Sequence, residues 1–381
     1  MRLLIISTLD SKEPFGAFTR PFYLGLYLAQ HFEVCQLGLD CSAVDYATSV
    51  SINSRGLSAY IKSIRQCITE FQPDVIYAQE TLPGIATLLT CNLGLRKQPA
   101  LVFDFHTLSA FEYWSRLASS SHKFREIKQL VKTYLAQGLL ALSGKPIIAA
   151  GTPVVQGIKD WYRVSHPRIH CVGNGVADDL LTFSGTQDPY EKLRPAKVAV
   201  VVAPKTFQFP TNDMSVAMTL SVAKQLEAHH PRLHFVVIGR DAEDIKEPLP
   251  SNVSCTGFLP SRSDFLAHLH FADVGLLPFS KEAVAGGARN KALDYLACKQ
   301  LVISTPEGMR GLDAFHDQQH LLVSNDSAQD MARILLEAYQ QIEHYRPLIT
   351  ASSQLIEKEY SWSAMAEKVA VVLTQAKDAT H

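Results

Sequence analysis

Lys291 and Asp294 stand three residues apart in the stretch Gly286-Gly-Ala-Arg-Asn-Lys-Ala-Leu-Asp294. The apolar run Val274–Leu277 ends at Pro278 just upstream, so the order predicts a buried strand, a glycine-containing loop and a helix starting near Ala288. A helix N-terminus leaves backbone N–H groups unpaired. With Gly286, Gly287, Arg289, Asn290 and Lys291 beside it, such a terminus can take a diphosphate. Asp294, one turn beyond Lys291 on the same face, can accept hydrogen bonds from ribose hydroxyls. The plain alternative is an ordinary helix carrying a solvated Lys–Asp pair.

Other candidates sit at the ends of apolar runs. His106 follows Leu101–Phe105, where an imidazole can bind a sugar hydroxyl or act as a base; Asp104 points to the same side, to orient it or to serve as the base itself. The alternative for His106 is a loop histidine capping the next segment. Lys205 follows Lys197–Pro204 and can neutralise charge on a leaving diphosphate. Gly239 and Arg240 follow Phe235–Ile238, and Gly257-Phe258 follow Val253–Thr256; both pairs stand where a ligand would meet the strand ends, although Arg240 reads equally well as a solvated loop residue. Asp178-Asp179 lies in a polar linker and no D-x-D motif stands where it would bridge a metal to a diphosphate, so no cofactor and no obligatory metal is expected.

These groups need two scaffolds. Short apolar runs alternate with longer amphipathic stretches twice along the chain, as buried parallel strands joined by helices do. The first series is Leu3–Ile6, Val34–Leu37, Val75–Ala78, Leu101–Phe105, Pro146–Ala150 and Arg168–Val172, with helix-like stretches at 18–31, 57–70, 84–94 and 122–142. The second is Lys197–Val202, Leu233–Ile238, Val253–Thr256, Val274–Leu277 and Leu301–Ser304, with helices near 213–229, 262–271, 288–298, 326–342 and 362–376. The expected division is an N-terminal domain over 1–176, a linker over 177–195, a second domain over 196–360 and a C-terminal helix over 361–381 that packs back on the first domain. Two such sheets facing one another would place the site in a cleft beyond the strand ends.

The chain has 381 residues, 47% of them hydrophobic, which suits two cores better than one. Its 36 Lys+Arg against 37 Asp+Glu exclude the global field of a nucleic-acid binder. Residues 1–180 hold 17 basic and 14 acidic residues, and the remainder 19 and 23. Seven cysteines with no C-x-x-C pair speak against zinc and disulfide frameworks and for a reduced cytosol. The opening MRLLIIST reads as a strand rather than a signal segment, and no apolar run is long enough to span a membrane. Residues 113–145 hold six Lys+Arg and one acid, Glu126, with Phe124, Ile127, Leu130, Val131, Tyr134 and Leu135 at helical spacing. Such a helix over 122–135 either lies on an anionic membrane surface, at the inner face of the membrane, or packs on its own sheet with a solvated basic side.

Read in order, Gly257, Ala272-Asp273-Val274, Pro278, Lys291, Asp294-Tyr295-Leu296-Ala297, Val302-Ile303 and Thr305 resemble the donor-binding progression of GT-B glycosyltransferases of family 4, called group 1, and their bacterial polysaccharide relatives. The resemblance extends to Arg168–Val176 with its Gly173-Asn174-Gly175 turn, to Phe235–Gly239, to Asp104-Phe-His106, and to Gly16 with the helix after it. It implies two Rossmann-like domains facing across a cleft (GT-B), a nucleotide-sugar donor as substrate, and metal-independent, retaining transfer to a glycan, glycolipid or polysaccharide-precursor hydroxyl. The pattern departs from the family at Gly286, where many members carry a glutamate facing the sugar; Glu282 is the nearby acid that could supply the group instead. Asp294 is one methylene shorter than the family's usual glutamate, and Lys299-Gln300 stands where G-x-P is common. These departures keep inversion open. They also leave two rivals: a nucleotide-sugar epimerase and a non-catalytic sugar-nucleotide or glycan-binding subunit.

Overall fold

The computed structural model describes the chain except residues 9–18, 40, 42–43, 55, 93–97, 118–121, 165–166, 206–210, 229, 231, 284–286 and 381. It divides into two compact units, one of Met1–Gly175 with Gly286–Ala288 and Trp362–His381, the other of Val176–Ala285 with Arg289–Ser361.

In the first unit seven parallel strands form one sheet: β1 (Arg2–Ile6), β2 (Glu33–Leu39), β3 (Thr48–Ile52), β4 (Val75–Gln79), β5 (Ala100–Phe105), β6 (Ile147–Ala149) and β7 (Ile169–Cys171). Their order is β3-β2-β1-β4-β5-β6-β7, so the winding direction reverses between β1 and β4. β4, β5 and β6 are buried along their whole length, which is why they read as unbroken apolar runs. Leu4, Ile6, Ile76, Phe103 and Ile147 form part of the core beneath them. The closing helix Trp362–Asp378 belongs to this unit. Trp362 is fully buried and stacks on Tyr23 of the helix Thr19–Leu28, ring centroids 5.7 Å apart and planes 11° from parallel.

The second unit carries six parallel strands, β8 (Lys197–Val202), β9 (Leu233–Ile238), β10 (Val253–Cys255), β11 (Val274–Leu277), β12 (Leu301–Ser304) and β13 (Leu322–Val323). The order β10-β9-β8-β11-β12-β13 reverses between β8 and β11. Gly275 in β11 lets the helix Asn290–Ala297 lie directly on the sheet. A Cβ there would come 2.5 Å from the Tyr295 ring and 2.6 Å from Gln300 Oε1. Tyr295 then accepts a 2.7 Å hydrogen bond from the Val202 amide, tying the helix to β8 as well.

Some elements do not announce themselves in the sequence. β3 is polar and only partly buried, β13 has two residues, and the helices Ser109–Arg116, Thr152–Tyr162 and Arg346–Glu359 lie outside the stretches expected to be helical. The seven cysteines form no disulfide with one another.

Candidate functional site

In parallel sheets ligands bind beyond the carboxyl ends of the strands, at the point where the winding reverses. In the second unit that point is flanked by the residues after β8 and β11, and the predicted donor group collects along the same edge. Lys205 follows β8 and pairs with Asp244. Gly239 follows β9 with φ +87°, and a Cβ would sit 3.3 Å from Pro204, so glycine suits both the backbone and the space. Arg240 is not a solvated loop residue. It is buried, donates to the carbonyls of Ala203 (3.0 Å) and Pro204 (3.4 Å) and pairs with Asp213 at 2.5 Å, holding the loop that carries Lys205. Phe258 follows β10 and is strongly exposed, an apolar ring facing solvent at the strand ends. Gly16 and Gly286 lie outside the described residues. Gly287 is buried in the first unit, where a Cβ would come 2.8 Å from the His106 carbonyl oxygen. Glu282 is exposed.

The helix Asn290–Ala297 starts at this edge, with Asn290 as its first residue. Arg289 is stacked over Phe279, its guanidinium carbon 3.6 Å from the ring centroid, and is paired with Glu307 at 3.2 Å. Burial lowers its pKa to about 10. Lys291 donates to Asn212 Oδ1 at 2.6 Å. Burial, and then the charges of Arg289 and Arg240, push its pKa down to about 7. Burial raises the Asp294 carboxyl to about 6, against the opposing pull of Arg262, which is itself held by Asp179 through two 2.8 Å bonds. Lys205, Arg240, Arg289 and Arg262 each face a carboxylate, whereas Lys291 is held by an amide oxygen and is repelled by Arg289 and Arg240 more than Asp294 attracts it, which makes it the cation of this edge suited to an incoming anion.

In the first unit the corresponding edge holds a buried chain of polar groups. The Asp104 carboxylate is wholly inaccessible; it pairs with Arg20 at 2.9 Å and accepts the Tyr77 hydroxyl. Arg20 also donates to the Gly173 carbonyl (2.7 Å) and to Asn174 Oδ1 (3.2 Å). His106 Nε2 lies 3.4 Å from Asp104 Oδ1, and its Nδ1 lies 3.6 Å from Glu80 Oε1. Burial holds the imidazole near pKa 4, although Asp104 pulls the other way. Burial, then Asp104, lifts Glu80 to about 8. Sequence reasoning finds His106 and Asp104 but misses Arg20, Tyr77 and Glu80. The signal that could have found Glu80 is a carboxylate placed immediately after the fully buried strand β4.

Among the described residues no cluster of three His, Cys, Asp or Glu side chains is arranged to hold a metal. Among them, too, no helix is long and apolar enough to cross a membrane.

Residues 200–341 match the family described as Glycosyl transferases group 1. No curated protein matches the sequence. In fold, the chain is similar to sucrose-phosphate synthase from Thermosynechococcus elongatus, with 12% identity, 99% of each chain covered and a TM-score of 0.77. It is also similar to WaaG, a glycosyltransferase involved in lipopolysaccharide biosynthesis, with 14% identity, 98% of this chain and 99% of that one covered and a TM-score of 0.68. A third similar structure is Anabaena HepE in complex with UDP-glucose, with 12% identity, 98% and 100% covered and a TM-score of 0.70. The two parallel-sheet units are those of the GT-B fold. The group 1 glycosyltransferase match lies within the second unit, Gly286–Ala288 apart.

Proposed function

We propose that this enzyme moves a sugar from a nucleoside-diphosphate donor, bound at the strand-end edge of the second unit, to a hydroxyl of a glycan or lipid-linked acceptor handled by the first. The observation that carries the reading is Lys291: a desolvated ammonium inside the group 1 domain, bonded to an amide oxygen, with the repulsion of Arg289 and Arg240 ahead of the pull of Asp294. A diphosphate would supply the opposing charge, with the start of the helix Asn290–Ala297 adding backbone N–H groups. Asp294 is placed one turn further on for the ribose hydroxyls, and Phe258 offers an apolar face to the base.

As the bond from the anomeric carbon to the diphosphate breaks, negative charge grows on the leaving oxygen. Lys291 and Lys205 stabilise it there, so the transfer needs no metal in this reading. The group 1 match favours a retaining course, in which the leaving diphosphate assists the incoming hydroxyl on the same face of the sugar. Incubating the enzyme with UDP-, GDP- and ADP-sugars and candidate acceptors, and following released nucleoside diphosphate, tests the reading. Release with one nucleotide series is the expected result, and none with any donor would remove it.

In the same reading the enzyme works at an anionic membrane surface on the cytoplasmic side. Support comes from the helix Lys123–Leu142, whose Phe124 (84% exposed), Ile127, Val131, Leu135, Leu139 and Leu142 (71%) form one apolar stripe open to solvent. Lys123, Arg125, Lys128 and Lys132 are all exposed and flank that stripe, while Glu126 is paired with Arg116 at 3.6 Å.

A further inference from the structure

We propose that Asn212 is a positioning residue for the donor: its amide oxygen holds the Lys291 ammonium at the strand-end edge of the second unit without neutralising it, so that the charge is kept for a diphosphate. The inference rests on the donor reading above and assigns the residue that readies its cation.

Two adjacent residues treat two neighbouring cations differently. Asn212 and Asp213 are the second and third residues of the helix Thr211–Glu227, which follows β8. Asp213 gives Arg240 a carboxylate at 2.5 Å, and Arg240 also donates to the carbonyls of Ala203 and Pro204. That cation is buried and neutralised. Asn212 gives Lys291 an amide oxygen at 2.6 Å. Such an oxygen accepts a hydrogen bond from the ammonium and leaves its net charge whole.

The Asn212 amide is held in one orientation. It is 8% exposed, and its Nδ2 donates to the Pro204 carbonyl at 2.7 Å. Reversing it would set N–H donors against the ammonium and an oxygen against the carbonyl. Pro204 is fixed in turn, since Arg240 binds its carbonyl and Gly239 lies so close that a Cβ there would come 3.3 Å from Pro204 Cβ. The residues after β8 and β9 thus meet at the amide that aims at Lys291. On another side, the Lys291 nitrogen lies 5.4 Å from the ring centroid of Phe279, two residues beyond β11.

The charged groups facing Lys291 are Arg289 just before its helix, Arg240 after β9 and Asp294 one turn along its own helix. Burial and the two cations hold it near pKa 7 against the pull of Asp294. A carboxylate in place of the Asn212 amide would tip that balance upward by about 1–3 pH units. It would also compete with an incoming diphosphate for the ammonium and repel it. A methyl group there would remove a bond that favours the charged form and push Lys291 further down.

The test compares the wild type, Asn212→Asp and Asn212→Ala. Lys291 is followed by NMR of lysine labelled with 13C at Cε, assigned with Lys291→Ala, and UDP, GDP and ADP affinities are measured by calorimetry from pH 6 to 9. The Lys291 signal should titrate near pH 7 in the wild type, about 1–3 units higher in Asn212→Asp and lower in Asn212→Ala. In Asn212→Asp the nucleotide that binds the wild type should bind about tenfold or more weakly at pH 6, with no further fall between pH 7 and 8. In Asn212→Ala it should bind about tenfold more weakly than in the wild type at pH 8, and lose less at pH 6. A helix start that merely came loose would return Lys291 toward the ordinary lysine range in both variants. Titration shifts in the same direction, no shift in either variant, or wild-type affinity in both overturns the proposal while the donor reading stands. A wild type that binds none of the three nucleotides overturns the donor reading and the proposal with it.

Discussion

The Lys291 ammonium donates a 2.6 Å hydrogen bond to Asn212 Oδ1, and among the described residues no carboxylate lies within ion-pair distance of it. An amide oxygen solvates an ammonium but does not neutralise it. With Arg289 and Arg240 repelling it and burial opposing its charge, Lys291 sits near pKa 7 in the free protein.

A bound diphosphate stabilises the protonated form, so the pKa of Lys291 rises on binding. Below pH 7 the lysine is already charged and affinity is full. Above pH 7 binding must take up a proton, and affinity falls up to tenfold per pH unit until the bound-state pKa is passed. Calorimetry with the nucleoside diphosphate in buffers of different ionisation enthalpy measures the uptake. Lys291→Ala should flatten the slope and weaken binding by about 1.5–3 kcal/mol. Asp294→Asn, which keeps an acceptor oxygen, should weaken it less.

Removing Asp104 strands a buried cation. Arg20 would keep the Gly173 carbonyl, Asn174 and Tyr77 as partners, none of them a carboxylate. Asp104→Ala should cost about 3–5 kcal/mol of stability, read from urea denaturation. A loss below about 1 kcal/mol would show that the pair does not hold the end of β5.

Gly275 sets how closely the helix of Lys291 approaches its sheet. Gly275→Ala should destabilise by about 1–3 kcal/mol and weaken diphosphate binding together, because the helix must move off Tyr295 and Gln300. Gly173→Ala is the control, since among the described residues nothing lies within 4 Å of its new Cβ. Equal midpoints for the two variants would refute the packing argument.

These relationships also mark what could be read from the chain alone. Buried parallel strands are legible because both faces must be apolar, as in Val75–Gln79 and Val274–Leu277. Lys291 and Asp294 are legible because three residues make nearly one helical turn. Arg20 and Tyr77 are not, since they reach Asp104 across 84 and 27 residues and only strand order brings them together. Glu80 is hidden for the same reason: nothing in its neighbourhood shows that His106 of the next strand will face it. The helix over 122–135 is ambiguous because its spacing fits either a buried or an open apolar side, and the structure leaves that side open.

The open stripe gives a direct expectation at membranes. Each basic residue near an anionic surface contributes about 1 kcal/mol, so Lys123, Arg125, Lys128 and Lys132 together supply roughly 4 kcal/mol, reduced by salt. Wild-type enzyme should sediment with phosphatidylglycerol vesicles at low salt. Reversing the four charges should leave it in the supernatant with diphosphate binding intact. Wild type that stays in the supernatant would contradict the membrane reading.

The central claim, that the second unit holds a nucleoside-diphosphate donor through Lys291, is tested most directly by thermal denaturation with UDP, GDP, ADP and their sugars, for the wild type and Lys291→Ala. One nucleotide series should stabilise the wild type by about 2.7 kcal/mol at a hundred times its dissociation constant. At the same concentration Lys291→Ala should show a much smaller shift. A wild-type midpoint unmoved by every nucleotide, or a shift that Lys291→Ala reproduces in full, would contradict the account.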